Sequence, residues 1–232
     1  MRSRDLQPEL MDDPALPAGE HRRALAGLAR LNALSGSVSV LWPDVRKLAR
    51  EFGRPLRLLD VATGGGDVPL GLGARARRAG FPLELSACDL SPVALEAAEA
   101  RASAVGAAVR FFAADALHAP LPAGFDVVTC SLFLHHLSDD NAVTLLARLA
   151  AAADRLVLVN DLSRSRANLG LVWLATRLAT RSPIVHADGP SSVRAAFTPA
   201  EAAALAERAG LAGATVAARF PCRWLLTWRK PA

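Results

Sequence analysis

The stretch that decides the fold is Leu56-Arg57-Leu58-Leu59-Asp60-Val61-Ala62-Thr63-Gly64-Gly65-Gly66-Asp67, in which an apolar strand runs into three glycines between two aspartates. Three consecutive glycines remove every Cβ where a helix begins, so a large ligand can approach the backbone N–H groups. A pyrophosphate loop would follow G-x-G-x-x-G, but the last position counted from Gly64 is Pro69. Because carboxylates repel a pyrophosphate, Asp60 and Asp67 favour a nucleoside cofactor with an ammonium group and ribose hydroxyls.

Three further segments repeat the pattern of an apolar strand that ends at a polar tip. They are residues 83–90, 109–116 and 125–131. The first is followed by Ser91-Pro92, a favourable helix N-cap and first helical residue. The last is followed by Leu-His-His-Leu at 134–137. This alternation of strands and helices predicts an α/β fold with a Rossmann-like, doubly wound and mostly parallel sheet.

In their order along the chain, these four segments resemble the motifs of class I S-adenosylmethionine-dependent methyltransferases, nearest to the branch of ubiquinone and menaquinone biosynthesis. The resemblance covers the middle of the chain and implies S-adenosyl-L-methionine as the cofactor. It implies that Asp89 binds both ribose hydroxyls and that Asp115 accepts a hydrogen bond from the adenine amino group. It places further residues around the cofactor: Asp60, Ala62, Gly64, Gly66, Asp67, Leu90, Ala116 and Ser131. It also implies one antiparallel strand, contributed by a terminal hairpin at 214–220 and 223–230.

Each of these residues also has a simpler interpretation when it is taken alone. Glycine-rich turns between a strand and a helix serve many doubly wound folds. Asp89 could cap a helix and Asp115 could be a plain turn residue, since aspartate is common in both places. Asp126, at the start of the fourth strand, is interpreted as a support of the sheet and not as a ligand-binding residue.

Composition argues for one core and against a nucleic-acid partner. The chain has 232 residues and is 52% hydrophobic, which is enough to bury one sizeable core. The net charge is +5 and the pI is about 10, but the arginines are scattered and the only lysines are Lys47 and Lys230. This pattern indicates a coding bias and a solvated basic surface, so we expect no RNA or DNA substrate.

The cysteines and the apolar runs predict a cytoplasmic protein. Cys88, Cys130 and Cys222 are isolated from one another, as is typical of small buried thiols in a reducing compartment. The first residues are charged and show no apolar signal segment. No apolar run reaches the roughly 20 residues that a membrane span requires.

Two segments outside the predicted sheet could shape a substrate pocket. Residues 1–55 are expected to form an N-terminal helical cap on the methyltransferase domain at 56–232, with a helix over 20–34. Such a cap could close over the cofactor, with residues 9–12 near it, or could serve packing alone. Residues 160–197 form a lid-like insertion, followed by a helix that begins at the capping box Thr198-Pro199-Ala200-Glu201.

Within the insertion, residues 167–180 predict a helix that is too apolar to be left uncovered. It could pack on the N-terminal cap, form a homodimer contact, or line a pocket for an apolar substrate. Residues 188–192, Asp-Gly-Pro-Ser-Ser, predict a turn-rich loop.

The predicted reaction is methyl transfer from S-adenosylmethionine to an oxygen of an apolar or aromatic small molecule, either a secondary metabolite or a quinone-like compound. A phenol or enol must lose a proton, and a neutral histidine is a suitable base, so the candidates are His135, His136 and His186. No metal is expected, because the paired histidines have no carboxylate or cysteine at ligand spacing.

Two alternatives to this reaction stay open. One is carbon methylation of a quinone-type ring, although residues 132–136, Leu-Phe-Leu-His-His, replace the glycine-arginine-asparagine type of segment expected in that branch. The other is a scaffold subunit that has the methyltransferase fold without turnover. The presence of Asp60, Asp89 and Asp115 together argues against the scaffold.

Overall fold

The computed structural model describes residues 1, 3–13 and 15–231. The helices in these residues are α1 (Ala18–Leu34), α2 (Ser37–Glu51), α3 (Asp67–Ala79), α4 (Pro92–Ala104), α5 (Asp139–Ala152), α6 (Arg166–Ala179), α7 (Pro183–Ala195) and α8 (Pro199–Arg208). The strands are β1 (Leu56–Val61), β2 (Leu83–Asp89), β3 (Val109–Ala113), β4 (Phe125–Ser131), β5 (Ala153–Leu162), β6 (Thr215–Arg219) and β7 (Arg223–Arg229). Short 3₁₀ turns span Leu10–Asp12 and Leu134–His136.

The strands form one sheet in the order β3-β2-β1-β4-β5-β7-β6. The neighbours from β3 to β5 are parallel, and β7 is antiparallel to both β5 and β6. The predicted doubly wound sheet with one antiparallel strand is therefore confirmed. The strand order reverses between β1 and β4, and in open α/β sheets ligands bind in the crevice outside the carboxyl ends of the strands at such a point.

Alternate residues of each strand point to opposite sides of the sheet, and a hydrophobic core lies on each side. On β1, Leu59 and Val61 join a core with residues of α5 and α8, whereas Leu56 and Leu58 join a core with residues of α2 and α3. Trp224 and Trp228 lie on one face of β7, and both are buried in the core that contains α5 and α8. Helices therefore cover both faces, which fixes the carboxyl edge as the accessible edge for a ligand.

The structure contains helices that begin at the two places predicted from the sequence, Ser91-Pro92 and Thr198-Pro199. The Ser91 side chain accepts a hydrogen bond from the N–H of Ala94, and Pro92 is the first residue of α4. At α8, Thr198 and Glu201 form a reciprocal capping box. Local side-chain chemistry thus sets where these helices begin.

The prediction of a turn-rich loop at 188–192 is wrong, because these residues lie inside α7. Gly189 serves close packing and not a turn: a Cβ there would lie 2.7 Å from Thr176 Cγ2 on α6. The Asp188 carboxylate accepts hydrogen bonds from the N–H groups of Leu10 and Met11 and does not cap its own backbone. Gly and Asp therefore have tertiary roles here, which local turn propensity does not reveal.

Helices α1, α6 and α7 form a layer over the carboxyl edge of the sheet. A Cβ on Gly27 of α1 would lie 2.7 Å from Thr180 Oγ1, just after α6, and Leu25 of α1 lies over Gly64. The opposite face of α6 is exposed, including Trp173 and Leu178. The sequence left three possibilities for this helix: packing on the N-terminal cap, a homodimer contact, or the wall of a substrate pocket. In the structure, α6 packs on the N-terminal helix α1.

Residues 4–12, called here the N-terminal segment, run along α7. The Asp5 N–H donates to the carbonyl of Arg194, and Arg4 Nε donates to the carbonyl of Ala195 at 2.7 Å. Together with the Asp188 contacts, these bonds bring Glu9 and Asp12 to the carboxyl edge of the sheet.

The described residues contain no single helix with the length and apolar composition to cross a membrane. Only the bent pair Ala18–Leu34 and Ser37–Glu51, at 61°, meets those criteria jointly.

Candidate functional site

The glycine turn after β1 is held in backbone conformations that favour glycine. Gly64 and Gly66 have φ values of 54° and 73°. A Cβ on Gly66 would lie 3.0 Å from the Cβ of Ala98 on α4. Ala62 also has a positive φ, of 54°, which is strained for a residue with a side chain and is a feature that clusters at functional sites. Glycine is therefore required at this turn for both conformation and space.

Asp89 lies at the tip of β2, directly beside the glycine turn. One of its carboxylate oxygens accepts from the Gly64 N–H at 2.7 Å, and the other accepts from the Ser91 N–H at 2.9 Å. A carboxylate offers about four acceptor positions, so each oxygen can accept one further hydrogen bond. Leu90, the next residue, is exposed. The structure thus brings together the first two segments that the sequence identified.

The two aspartates that flank the glycines are in different environments. Asp60 is buried between β1 and β4 and accepts from the hydroxyls of Thr63 and Thr129 at 2.7 and 2.6 Å. Burial raises the pKa of Asp60 from 3.8 to about 7, against the effect of the two hydroxyls. Asp67 is half-buried and accepts from Asn32 Nδ2 at 3.0 Å. Asp60 therefore lies inside the sheet, whereas Asp67 faces the helical layer.

The raised pKa of Asp60 predicts a pH dependence of stability. Because the folded pKa lies above the unfolded value, the folded protein binds the proton more tightly, and this stabilisation is full below about pH 4 and lost as the pH rises through 7. A folded pKa that lies one pH unit above the unfolded pKa corresponds to about 1.4 kcal/mol of stability. We expect Asp60→Asn, which imitates the protonated acid, to gain stability relative to wild type between pH 5 and pH 8. Urea unfolding at several pH values measures this difference.

Asp126→Asn is the matched control, because Asp126 is a buried aspartate whose pKa moves in the opposite direction. Burial raises its pKa, but the hydrogen bond and charge of Arg54 outweigh burial and hold the pKa below its usual range. Its contribution to stability is therefore lost as the pH falls, so this substitution should cost stability near neutral pH. Parallel pH curves for wild type and Asp60→Asn would contradict the assignment of Asp60.

Asp115 organises the turn that follows β3. Its carboxylate accepts from the N–H groups of Leu117 and His118 at 2.9 and 3.0 Å, and it contacts His118 Nδ1 at 2.9 Å. The hydrogen bond from His118, with help from the Leu117 N–H, lowers the pKa of Asp115. Ala116 is half-buried beside it. These contacts are those of a turn residue, and contact with an adenine amino group stays a prediction.

The tips of β4, β5 and β7 carry buried polar atoms without hydrogen-bond partners among the described residues. They are Ser131 Oγ, both amide atoms of Asn160, and Nε and Nη1 of Arg223. Since β7 is antiparallel, its first residue Arg223 lies at the same edge as the last residues of β4 and β5. Buried polar atoms are costly unless they are paired, so this part of the edge is suited to a polar ligand.

His135 and Asp161 form a buried pair beyond the tips of β4 and β5. Asp161 accepts from the His135 N–H at 3.0 Å and contacts His135 Nδ1 at 2.7 Å. Burial raises the pKa of Asp161, but the charge and hydrogen bond of His135 outweigh burial, so its pKa lies below the usual range. Because an ionised carboxylate only accepts hydrogen bonds, Nδ1 carries the proton and Nε2 presents its lone pair when the ring is neutral.

His136 is held in a similar way by the N-terminal segment. Its Nδ1 lies 2.8 Å from a carboxylate oxygen of Asp12. Burial lowers the pKa of His136, but the Asp12 hydrogen bond and the charge of Glu9 outweigh burial and raise the pKa to about 9. Glu9 lies between the two rings: its Oε1 is 3.7 Å from His135 Nε2 and its Oε2 is 3.7 Å from His136 Nε2. We call Glu9, His135 and His136 the histidine cluster.

His186 is the third histidine that the sequence nominated, and the structure uses it differently. Its Nε2 lies 2.8 Å from the carbonyl oxygen of Thr180, on the connection between α6 and α7. No hydrogen bond in the described part of the chain links it to the histidine cluster. The ring therefore fastens the start of α7 to the preceding residues.

Sequence reasoning missed Glu9, Asp12 and Asp161 as partners of the paired histidines. The absence of a carboxylate at ligand spacing led to the expectation of no metal, but Glu9 reaches the histidines from the other end of the chain. One expectation pointed in this direction: residues 9–12 were predicted to lie near the cofactor if the N-terminal cap closes over it. Their partner could not be identified, because nothing local couples them to β4.

Comparison with known proteins shows that the central part of the chain is similar to methyltransferases. Residues 58–154 match a family described as a methyltransferase domain. The demethylmenaquinone methyltransferase of Thermus thermophilus is 39% identical over 121 residues, which are 51% of this chain and 53% of the relative. That of Deinococcus radiodurans is 36% identical over 107 residues, which are 45% of this chain and 43% of the relative. The chain spans about half the length of the curated relatives that it matches.

Solved structures share the fold at lower sequence identity. Human N-acetylserotonin methyltransferase in complex with S-adenosylmethionine aligns with a TM-score of 0.64 at 17% identity, over 93% of this chain and 57% of that chain. An O-methyltransferase-like protein of Nostoc punctiforme aligns with a TM-score of 0.62 at 19% identity, over 85% of this chain and 56% of that chain. At these sequence identities, the similarity establishes a shared fold alone.

Proposed function

We propose that the chain is a class I S-adenosylmethionine-dependent methyltransferase, which its methyltransferase domain supports, and that it transfers a methyl group from S-adenosylmethionine to an oxygen of an apolar or aromatic small molecule. One observation carries the proposal. The glycine turn and Asp89 lie on one side of the point where the strand order reverses, and the histidine cluster lies on the other side. At the tips of β4 and β5, the side-chain polar atoms of Ser131 and Asn160 have no hydrogen-bond partner in the part of the chain that the structure describes.

In this proposal the cofactor occupies the edge formed by β1, β2 and β3. Asp89 keeps free acceptor positions for the two ribose hydroxyls, and Asp115 would accept from the adenine amino group. Close backbone approach is possible at the glycine turn because it has no Cβ atoms. The remaining proposed contacts are Asp60, Ala62, Gly64, Gly66, Asp67, Leu90, Ala116 and Ser131.

The chemistry of a sulfonium makes orientation the main task of the protein. The methyl group is already activated, and positioning alone can contribute roughly 7–11 kcal/mol in favourable intramolecular cases. The acceptor hydroxyl must also lose its proton, and we propose that the histidine cluster assists this step. The oxygen electron pair then forms the new O–C bond while the C–S bond breaks, and the sulfur of S-adenosylhomocysteine keeps the electron pair.

Carbon methylation of a quinone-type ring is the second candidate, and the two demethylmenaquinone methyltransferase relatives favour it. The segment at 132–136 favours oxygen, since its paired histidines, of which His135 is buried, are suited to handling a hydroxyl proton. A scaffold without turnover is disfavoured, because a bare scaffold has no need of the intact glycine turn, Asp89 and histidine cluster.

The test is incubation with S-adenosylmethionine that carries a ¹³C-labelled methyl group and a panel of phenols, enols and quinols. We expect the label to appear as an O-methyl carbon in NMR spectra of the product. A ring-bound methyl carbon would replace this proposal by the second candidate. Cofactor binding without transfer to any member of the panel would favour the scaffold.

The finer organisation is also a proposal. We divide the chain into an N-terminal helical cap at 1–55 and a methyltransferase domain at 56–232, with the insertion at 160–197 as a lid over the acceptor. The exposed apolar face of α6, with Trp173 and Leu178, supports either an acceptor entrance or a homodimer contact. The unpaired thiols of Cys88 and Cys130, both buried, support a cytoplasmic setting.

A further inference from the structure

We propose that the histidine cluster binds a divalent first-row transition-metal ion through Glu9, His135 Nε2 and His136 Nε2. The three ligand groups come from the N-terminal segment and from the 3₁₀ turn after β4, and their ligand atoms all lie within 4.8 Å of one another. Two imidazoles and one carboxylate form a donor set that such ions take in proteins. The metal site itself stands on this geometry, and only its role toward the acceptor rests on the proposed function.

Each ligand is oriented by a hydrogen-bond partner outside the histidine cluster. Asp161 holds His135 Nδ1 at 2.7 Å, and Asp12 holds His136 Nδ1 at 2.8 Å. Ser192 Oγ donates to Glu9 Oε1 at 2.5 Å. A carboxylate on Nδ1 fixes the ring so that Nε2 points into the cluster and can coordinate an ion once it is deprotonated. An outer partner of this kind, whether a carboxylate, a carbonyl or a water, accompanies almost every metal-binding histidine.

The spacing within the histidine cluster is too long for hydrogen bonds. Both distances between a Glu9 oxygen and a histidine Nε2 are 3.7 Å, whereas an N–H···O hydrogen bond spans about 2.7–3.2 Å. Ligand atoms placed tetrahedrally at about 2.0–2.1 Å from one ion lie roughly 3.4 Å apart. The two distances end on different oxygens of Glu9, so the carboxylate faces both rings at a separation that leaves room for an ion and closes no direct hydrogen bond.

Carboxylates surround the histidine cluster, and they differ in their exposure to water. Four carboxylates meet at this place: Glu9, Asp12, Asp161 and Asp188. The Arg4 guanidinium, which reaches this place, is already engaged by Asp139 at 2.7 Å and by the carbonyl oxygens of His135 and Leu137. His135 is 3% exposed, and the Glu9 side chain is 10% exposed. The Glu9 and Asp161 side chains are largely withdrawn from water, whereas the Asp12 side chain is 57% exposed, and the excess of carboxylates over guanidinium groups at this place favours the capture of a cation.

With the ion bound, the acceptor hydroxyl would coordinate to it as a further ligand. A divalent ion stabilises the oxyanion and lowers the pKa of a coordinated hydroxyl, so the proton leaves to water before the methyl group is transferred. The oxygen then attacks the methyl carbon, the C–S bond breaks, and no oxidant or reductant is involved. The histidine cluster would thus select acceptors that have a hydroxyl beside an apolar ring.

The test is titration of the untagged full chain, after treatment with a chelator, with cobalt(II) chloride in the absence of cofactor and acceptor. We expect one ion per chain, with the visible absorption bands of cobalt bound by nitrogen and oxygen. Glu9→Gln should weaken binding at least tenfold, and His136→Asn should weaken it more strongly. Glu51→Gln removes an exposed acid of the same type on α2 and should leave the affinity unchanged.

Two results would overturn the metal site: no cobalt binding by the wild type at millimolar concentration, or binding that both substitutions leave unchanged. Thermal unfolding and S-adenosylmethionine titration of Glu9→Gln show whether the variant is folded. Because cobalt binding is measured without cofactor, its failure leaves the proposed methyl transfer standing. A failure to bind S-adenosylmethionine would likewise leave the metal result intact.

Discussion

Asp89→Asn is expected to weaken S-adenosylmethionine binding about 10- to 150-fold in calorimetric titration. This range corresponds to losing roughly 1.5–3 kcal/mol of hydrogen bonding to a charged acceptor. Asparagine keeps one acceptor oxygen, but it cannot serve both the backbone N–H groups of Gly64 and Ser91 and two ribose hydroxyls. Titration with S-adenosylhomocysteine should show the same loss, because the ribose is common to both molecules.

Glu99→Gln is the matched control for Asp89→Asn. Glu99 is an exposed acid on α4, so this substitution changes the net charge equally without touching the glycine turn. Equal affinities for wild type and Asp89→Asn would mean that the acid at the tip of β2 only supports the turn. The assignment of the cofactor to this edge would then have to be abandoned.

Asp161→Asn is expected to lower kcat by about 10²- to 10⁴-fold on an accepted substrate, the range that proton handling contributes in enzymes. The side-chain amide of asparagine would donate to His135 Nδ1 and move the ring proton to Nε2. His135 Nε2 would then carry the proton and have no lone pair, so it could serve neither as a base nor as a metal ligand. The KM for S-adenosylmethionine should stay unchanged, because Asp161 lies on the other side of the reversal point.

Asp140→Asn provides the comparison for Asp161→Asn. Asp140 is an exposed acid that pairs with Arg208 at 2.7 Å on the surface, so we expect its replacement to leave kcat unaltered. Cobalt titration of Asp161→Asn supplies a second measurement, since a wrong tautomer should also weaken metal binding. Wild-type activity in Asp161→Asn would show that the orientation of His135 is unimportant.

The sheet could be predicted from the sequence because its signals are local. The run 56–67 marks a strand, a turn and a helix within twelve residues. The capping box at Thr198 and the Ser91-Pro92 pair mark helix starts by chemistry within one turn. Resemblance to a known family supplied the antiparallel strand of the terminal hairpin, which is β7, whereas the order of the strands came only from the structure.

The histidine cluster could not be predicted, because its partners are distant in sequence. Glu9 reaches Ser192 across 183 residues, and Asp12 reaches His136 across 124. The same cause explains the error at 188–192, where Gly189 packs on Thr176 and Asp188 binds the N-terminal segment. Asp60 is a further case: its motif indicates ligand binding, but its burial depends on how β4 pairs with β1.

The contacts of the N-terminal segment also have a consequence for the order of assembly. Closing a long stretch of chain costs entropy before any distant contact forms, so contacts across more than a hundred residues form late. The sheet and its glycine turn can be complete while residues 4–12 are still undocked. As long as residues 4–12 are undocked, the cofactor would have its place, but Glu9 and Asp12 would be missing from the acceptor side. Docking of the first dozen residues would then be the step that turns a cofactor-binding domain into a catalyst.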